Sequence, residues 1–339
     1  MVVTPNRVQT LAFSATGNTL SLVSNSQEAA SATVSLPGFT ESIVVSPDSQ
    51  TAYIAVPTAP MVGKSPGAVE VLNLNNGTVT AQLSVPAVRY LAIANNGNRL
   101  LAFSDNSDTV TVITPADIES GNPIATVSGF DRPVTAFFVS NDTTAFVVNC
   151  GVECGGTLSG VQTVDLSVDP PVAGVPVPVP AATTALVNGA TMYLAGTTVP
   201  PVDCSTPNNT ISCGQLTVFD LSTMSILNTS PILIPDGYHN RMGLGANGKL
   251  YVGSRTCTEV PSGDEQRGCL AIYDTGPAAT VVVPPTNGNV TGILPIAKRN
   301  VVYIVQGGEL EIYDTKTDKL QDKQVDISGE AVDVKSVDF

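Results

Sequence analysis

Apolar and polar residues alternate along this chain in short bursts separated by polar turns. Ser42-Ile43-Val44-Val45 runs into the turn Ser46-Pro47-Asp48 and is followed by Thr51-Ala52-Tyr53-Ile54-Ala55-Val56. The phrase returns as Tyr90-Leu91-Ala92-Ile93-Ala94, Asn96-Gly97 and Leu100-Leu101-Ala102-Phe103, then as Thr135-Ala136-Phe137-Phe138-Val139 with Ala145-Phe146-Val147-Val148. Later copies turn at Asn188-Gly189, Asn247-Gly248 and Lys298-Arg299-Asn300. A period of two puts successive side chains on opposite faces of a strand, and Asn-Gly suits the tight turns between antiparallel neighbours. Each phrase therefore predicts a hairpin.

Most hairpins are followed by a third strand that ends in an Asp or Asn turn, such as Val69-Glu70-Val71-Leu72-Asn73 or Thr217-Val218-Phe219-Asp220. A fourth strand then stops near Pro or Gly, as in Leu83-Ser84-Val85-Pro86 and Ile232-Leu233-Ile234-Pro235. Val175-Pro176-Val177-Pro178-Val179 fits only an outermost strand, because proline cannot donate to a ladder on both sides. A period of roughly 40 to 55 residues with four short strands is that of a β-propeller blade. Residues 8–13, 18–23 and 32–37 align as second, third and fourth strands, which leaves the first blade without an inner one. Residues 331–337 follow a fourth strand and have no blade of their own, so they are expected to fill that gap. The expected fold is all-β: one domain over residues 1–339, a seven-bladed propeller of four-stranded antiparallel blades closed by its C-terminal strand in blade 1.

Composition agrees. Apolar residues are 42%, charged residues only 13%, Trp is absent, and 29 Gly with 25 Pro leave little room for long helices. The formal charge of −14 repels phosphate backbones and anionic headgroups, so neither nucleic acid nor membrane insertion is expected. The chain opens with polar Thr4-Pro5-Asn6-Arg7 and reads as a mature form with no leader or membrane span.

The phrases resemble the YVTN-type β-propeller repeat of exported and surface proteins. Ser46-Pro47-Asp48-Ser49 is similar to its S-P-D-G turn, and Tyr53-Ile54-Ala55-Val56, Tyr251-Val252-Gly253-Ser254 and Tyr303-Ile304-Val305-Gln306 to its Y-V-x-N strand. Phe219-Asp220-Leu221-Ser222-Thr223 and Tyr273-Asp274-Thr275 resemble its I-D-x-x-T segment. The resemblance covers nearly the whole chain and implies a fold rather than an activity.

Six cysteines fall into three close pairs, Cys150/Cys154, Cys204/Cys213 and Cys257/Cys269, each among Gly, Pro, Ser and Thr. Pairing within each loop is the simplest connectivity, and disulfides point to an extracellular, cell-surface or periplasmic location. One histidine and no C-x2-C spacing argue against zinc. The pairs lie in the long loops between second and third strands of blades 4, 5 and 6; blade 2 has a similar loop without cysteine. A disulfide limits a loop's freedom before binding, so less entropy is lost on contact. Stapling against proteolysis would need the same bonds.

The connections from fourth to first strands rim the same face. They bring Glu41, Arg89, Arg132, His239, Arg241 and Glu330 towards the channel mouth, with Thr183 and Asn289 beside them. Guanidinium groups there could hold a carboxylate or sulfate; equally, Glu41 and Glu330 could pair with neighbouring arginines. No catalytic motif, cofactor or metal loop is evident. Asn76, Asn141, Asn208, Asn228 and Asn289 begin N-x-S/T sequons, which matter only in a glycosylating host. The expectation is a non-enzymatic exported propeller that binds a protein or glycan ligand through the disulfide loops of blades 4 to 6. The alternatives are a lactonase-like hydrolase at the mouth and a self-assembling subunit of a surface layer or filament.

Overall fold

The computed structural model describes residues 1–13, 17–121, 125–205, 211–258, 260–262, 265–296, 299–321 and 331–337. Its strands form seven blades, each built on four antiparallel strands, arranged as a β-propeller. Two compact units divide the chain: Met1–Asn149 with Val161–Pro176 and Val337, and Cys150–Gly160 with Val177–Ser336.

The first unit holds blades 1 to 3 and most of the strands of blade 4. Blade 2 is typical, with Ser42–Val45, Thr51–Val56, Ala68–Asn73 and Thr78–Ser84 paired in that order. Its two middle strands are buried almost throughout while the outer strand is mostly exposed, with Leu83 buried near its end. Middle strands carry neighbours on both faces and so read as continuous apolar runs; an outer strand wets one face. Buried clusters follow the same logic. One joins Leu11, Leu22 and Val34 to Ile54 and Leu72, a second joins Tyr53 and Val71 to Leu91 and Leu100, and a third joins Phe103 and Val112 to Val147 and Leu166.

The second unit holds blades 5 to 7. Blade 6 pairs Tyr238–Leu244, Lys249–Arg255, Leu270–Asp274 and Val281–Val282, and blade 7 pairs Val290–Pro295, Val301–Gln306, Glu309–Asp314 and Lys319–Leu320. Blade 5 is built on Thr184–Asn188, Thr191–Gly196 and the long strand Ser212–Asp220, along which Val202–Asp203, Ser225–Ile226 and Ile232–Pro235 all pair. Leu216 and Ile234 pack with Leu250 and Tyr273, while Tyr251 and Ile272 pack with Val302 and Tyr313. Packing is tight at Gly253, where a Cβ would collide with the Val290 side chain.

One expectation is corrected. The inner strand of blade 1 is Val2–Val3, paired antiparallel with Gln9–Phe13 (Val2 opposite Leu11, Val3 opposite Thr10), and residues 331–337 form no strand. The physical reason is local. Thr4 N donates to Gln9 O at 2.9 Å and Arg7 N to Thr4 O at 2.8 Å, with Arg7 at φ 60°. Closing so short a loop costs far less entropy than bringing in a strand from the far end of the chain. Residues 331–337 instead begin with Ala331 N donating to Gly308 O at 2.7 Å, and Val334 covers Gly292 of the inner strand of blade 7.

Two elements were not anticipated. The helix Pro115–Ser120 lies between the third and fourth strands of blade 3; Thr114 precedes it, Asp117 Oδ2 receives both Thr114 N–H and Thr114 O–H, and Gly121 ends it at φ 73°. The blade 6 loop, expected to be irregular, contains the hairpin Val260–Ser262 with Glu265–Arg267. The outer edge of blade 4 also differs in detail. Val172–Ala173 pairs there, and of residues 175–179 only Val177–Pro178 is a strand.

Candidate functional site

All six cysteines are paired as the spacing suggested: Cys150–Cys154, Cys204–Cys213 and Cys257–Cys269, with Cα separations of 5.6, 6.0 and 5.3 Å. The three loops belong to the second unit, and each joins the second and third main strands of its own blade. No helix of the described residues is long and apolar enough to cross a membrane.

Hydrogen bonds join these loops into one body. Glu153, in the short 3-10 turn Gly151–Cys154, accepts from Thr197 N at 2.7 Å, and Thr197 begins the blade 5 loop. Thr197 Oγ1 donates to Gly237 O at 3.1 Å. Gly237, at φ 108°, lies so close to the blade 6 loop that a Cβ would meet Arg255 O at 2.5 Å and Cys257 Cα at 3.0 Å. The preceding residue, Asp236, accepts Thr258 N at 2.6 Å and Thr258 Oγ1 at 2.8 Å. A side chain at Gly237 would push the blade 6 loop away. Burial raises the Glu153 pKa to about 7, against the lowering effect of the Thr197 N–H.

The residues expected at the channel mouth serve several local purposes. In the first unit Arg89 Nε meets Glu41 Oε2 at 2.9 Å, and Arg89 Nη1 meets Asp105 Oδ1 at 3.3 Å. Glu41 thus pairs with a neighbouring arginine, as the plainer expectation had it. Arg132 sits at φ 53°, its N–H donates to Asp108 Oδ1 at 3.2 Å, and its guanidinium lies 3.7 Å from the same carboxylate. In the second unit His239 is 1% exposed; one ring nitrogen, Nε2, is 2.9 Å from Pro235 O, and Nδ1 has no hydrogen-bond partner among the described residues. Burial lowers its pKa to about 4, with smaller opposing effects from the Pro235 carbonyl and Asp236. The ring packs on Gly214, where a Cβ would be 2.7 Å from His239 Cε1, and Thr183 Oγ1 donates to His239 O at 2.8 Å. Asn289 Oδ1 accepts Thr256 N at 2.8 Å. Glu330 and Asn208 lie outside the described residues.

A recurrent bulge marks the start of the inner strands of blades 3, 4, 6 and 7. In blade 3 Tyr90 pairs with Phe103 and Val88 with Ser104, which leaves Arg89 as the extra residue; Val134 has the same place in blade 4. In the second unit Asn240 and Thr291 are the extra residues of blades 6 and 7. A bulge re-aims one side chain and increases the local twist. Arg241 spans the latter two: its Nε donates to Thr291 O at 2.8 Å and its Nη1 to Asn240 O at 2.9 Å.

Sequence reading missed Glu153, Thr197, Asp236 and Arg255. A carboxylate lying between two paired cysteines was a visible signal for Glu153; for the others there was none, because their partners lie on other blades or across a strand.

No family model matches the chain, and no curated protein matches it. Solved structures do resemble it. Apo AztD from Citrobacter koseri superposes with a TM-score of 0.60 at 12% identity, covering 95% of this chain and 83% of that one. A proposed 6-phosphogluconolactonase from Bacteroides uniformis gives 0.60 at 14% identity, covering 95% and 97%. The β-propeller domain of Cps50 (Swd1) from Myceliophteria thermophila gives 0.54 at 13% identity, covering 87% and 90%. At such identities the likeness is one of fold: the chain is similar to β-propellers of differing roles.

Proposed function

We propose that this chain is a non-enzymatic, exported binding propeller that recognises a protein or glycan ligand through the disulfide loops of blades 4 to 6. The observation that carries this reading is the continuous tie from Glu153 through Thr197 and Gly237 to Cys257, which makes three separate loops one pre-ordered surface. Stapling against proteolysis requires each disulfide but not the bonds between loops. Ordering the surface in advance lowers the entropy lost when a ligand docks. Three formed disulfides favour an oxidising compartment. The hydrolase alternative is weakened because His239 is buried and uncharged, out of reach of a substrate.

The test is capture from the native extracellular fraction by the immobilised chain, by a version with loops 197–214 and 255–268 shortened, and by the chain after disulfide reduction. A ligand retained by the intact protein and released from both altered forms is expected. Equal retention by all three overturns the proposal.

A further inference from the structure

Arg255 ends the second strand of blade 6, directly before the Cys257–Cys269 loop. Among the described residues its buried Nε has no hydrogen-bond partner and its guanidinium forms no ion pair. The residue as a whole is only partly buried, and a guanidinium with no ion pair points to a partner supplied from outside. Asp236, the carboxylate in the connection that leads into this blade, accepts from Thr258 N and Thr258 Oγ1 and forms no ion pair with Arg255. In the first unit, by contrast, Arg89 and Arg132 are neutralised by Glu41, Asp105 and Asp108. An unneutralised guanidinium is all the more notable in a chain of net charge −14.

The surroundings say what kind of anion would fit. Tyr238 stands directly opposite Arg255 across the strand pair and is 37% exposed. Opposite residues share a sheet face, so the tyrosine and the arginine leave the strand pair on the same side. The backbone there is held rigidly: Thr256, at φ 52°, donates its N–H to Asn289 Oδ1, and Gly237 presses on Arg255 O and Cys257. An aromatic face beside a fixed cation matches a sugar ring that carries a carboxylate. The ring offers C–H groups to the tyrosine while the carboxylate takes the forked donors of the arginine.

We propose that Arg255 and Tyr238 form a subsite for a uronate residue of an acidic saccharide, Arg255 pairing with the carboxylate and Tyr238 stacking on the ring. This rests on the loop-face binding reading and specifies one ligand class for it.

The experiment is calorimetric titration of the full chain with trigalacturonate, its methyl ester and a tri-glutamate peptide. Trigalacturonate should bind at least tenfold more tightly than either of the others. Arg255→Gln should weaken it tenfold or more, Arg255→Lys should fall between, and Tyr238→Ala should weaken it several-fold. A melting midpoint for each variant guards against misfolding; if Arg255→Gln is unfolded, Arg255→Lys and Tyr238→Ala decide between the outcomes. Equal binding of the ester shows that charge is not read, and equal binding of tri-glutamate shows an acidic-peptide site; either overturns the proposal, as does unchanged affinity in the variants. A ligand captured through the loops yet indifferent to Arg255→Gln sinks this subsite and leaves the loop-face reading standing.

Discussion

Glu153 Oε2 accepts a hydrogen bond from the Thr197 backbone N–H at 2.7 Å, so one half-buried carboxylate joins the disulfide turn of blade 4 to the loop of blade 5. Its pKa is raised from an ordinary 4.5 to about 7, chiefly by burial. Between those values the folded chain holds a proton that the unfolded chain releases, so stability falls as pH rises through this window. Burial raises Glu311 to about 7 as well, and it acts with the same sign. Glu153→Gln keeps an acceptor for Thr197 while removing the charge. Thermal melts from pH 4.5 to 8 should show a shallower decline in this variant and a shallower one still in Glu153→Gln with Glu311→Gln. An unaltered slope in both variants would falsify the assignment. Glu153→Ala leaves the Thr197 N–H without its acceptor and should cost about 1–3 kcal/mol.

His239 has the opposite dependence. Its pKa falls from an ordinary 6.5 to about 4 through burial, so the unfolded chain binds a proton in this range that the folded chain refuses. Stability contributed by the neutral ring is complete above pH 6.5 and is lost as pH drops towards 4. Urea midpoints for His239→Gln should be lower than wild type at pH 7.5 but change less on acidification. A wild-type acid limb that matches the variant's would remove His239 as its source.

Val2 tests the corrected closure of blade 1. It lies opposite Leu11 and packs on the cluster that contains Leu22 and Ile54. Val2→Asp puts an unpaired charge against that cluster and should lower stability by about 1–3 kcal/mol. Val332, 68% exposed in the C-terminal segment, should tolerate the same substitution with little change in the urea midpoint. Comparable losses at both positions would restore a C-terminal inner strand.

The disulfides should contribute according to the loops they close. Cys257 and Cys269 are separated by 12 positions and Cys150 and Cys154 by 4. Loop-closure entropy predicts about 3 kcal/mol for the first and about 2 kcal/mol for the second. Double Cys→Ser variants compared by chemical denaturation at pH 7 should rank in that order. The reverse ranking would mean that the Glu153 turn contributes more through its contact with Thr197 than through closure of its own ring.

Blade count, strand order beyond the inner edge of blade 1 and the pairing of cysteines were legible in the amino-acid sequence because each depends on neighbours close in the chain. A period of two, Asn-Gly turns such as Asn96-Gly97 and Asn247-Gly248, and cysteines a few positions apart report on local pairing. Even the turn at Ser46–Ser49 kept its form, with Ser49 at φ 61° where the repeat it resembles has glycine. What only tertiary structure decided is set by contacts between blades and across strands. Val2–Val3 outcompeted residues 331–337 for the inner edge of blade 1 because the nearer strand costs less to close. His239 lay in a stretch that reads as an open mouth, yet packing on Gly214 buried it. Glu153 and Thr197 stand 44 positions apart, so no local pattern could pair them. Arg255 forms no ion pair among the described residues, which no local pattern announced. The fold is written in periodicity; the chemistry of its loop face arises from which side chains the closed blades leave satisfied and which they do not.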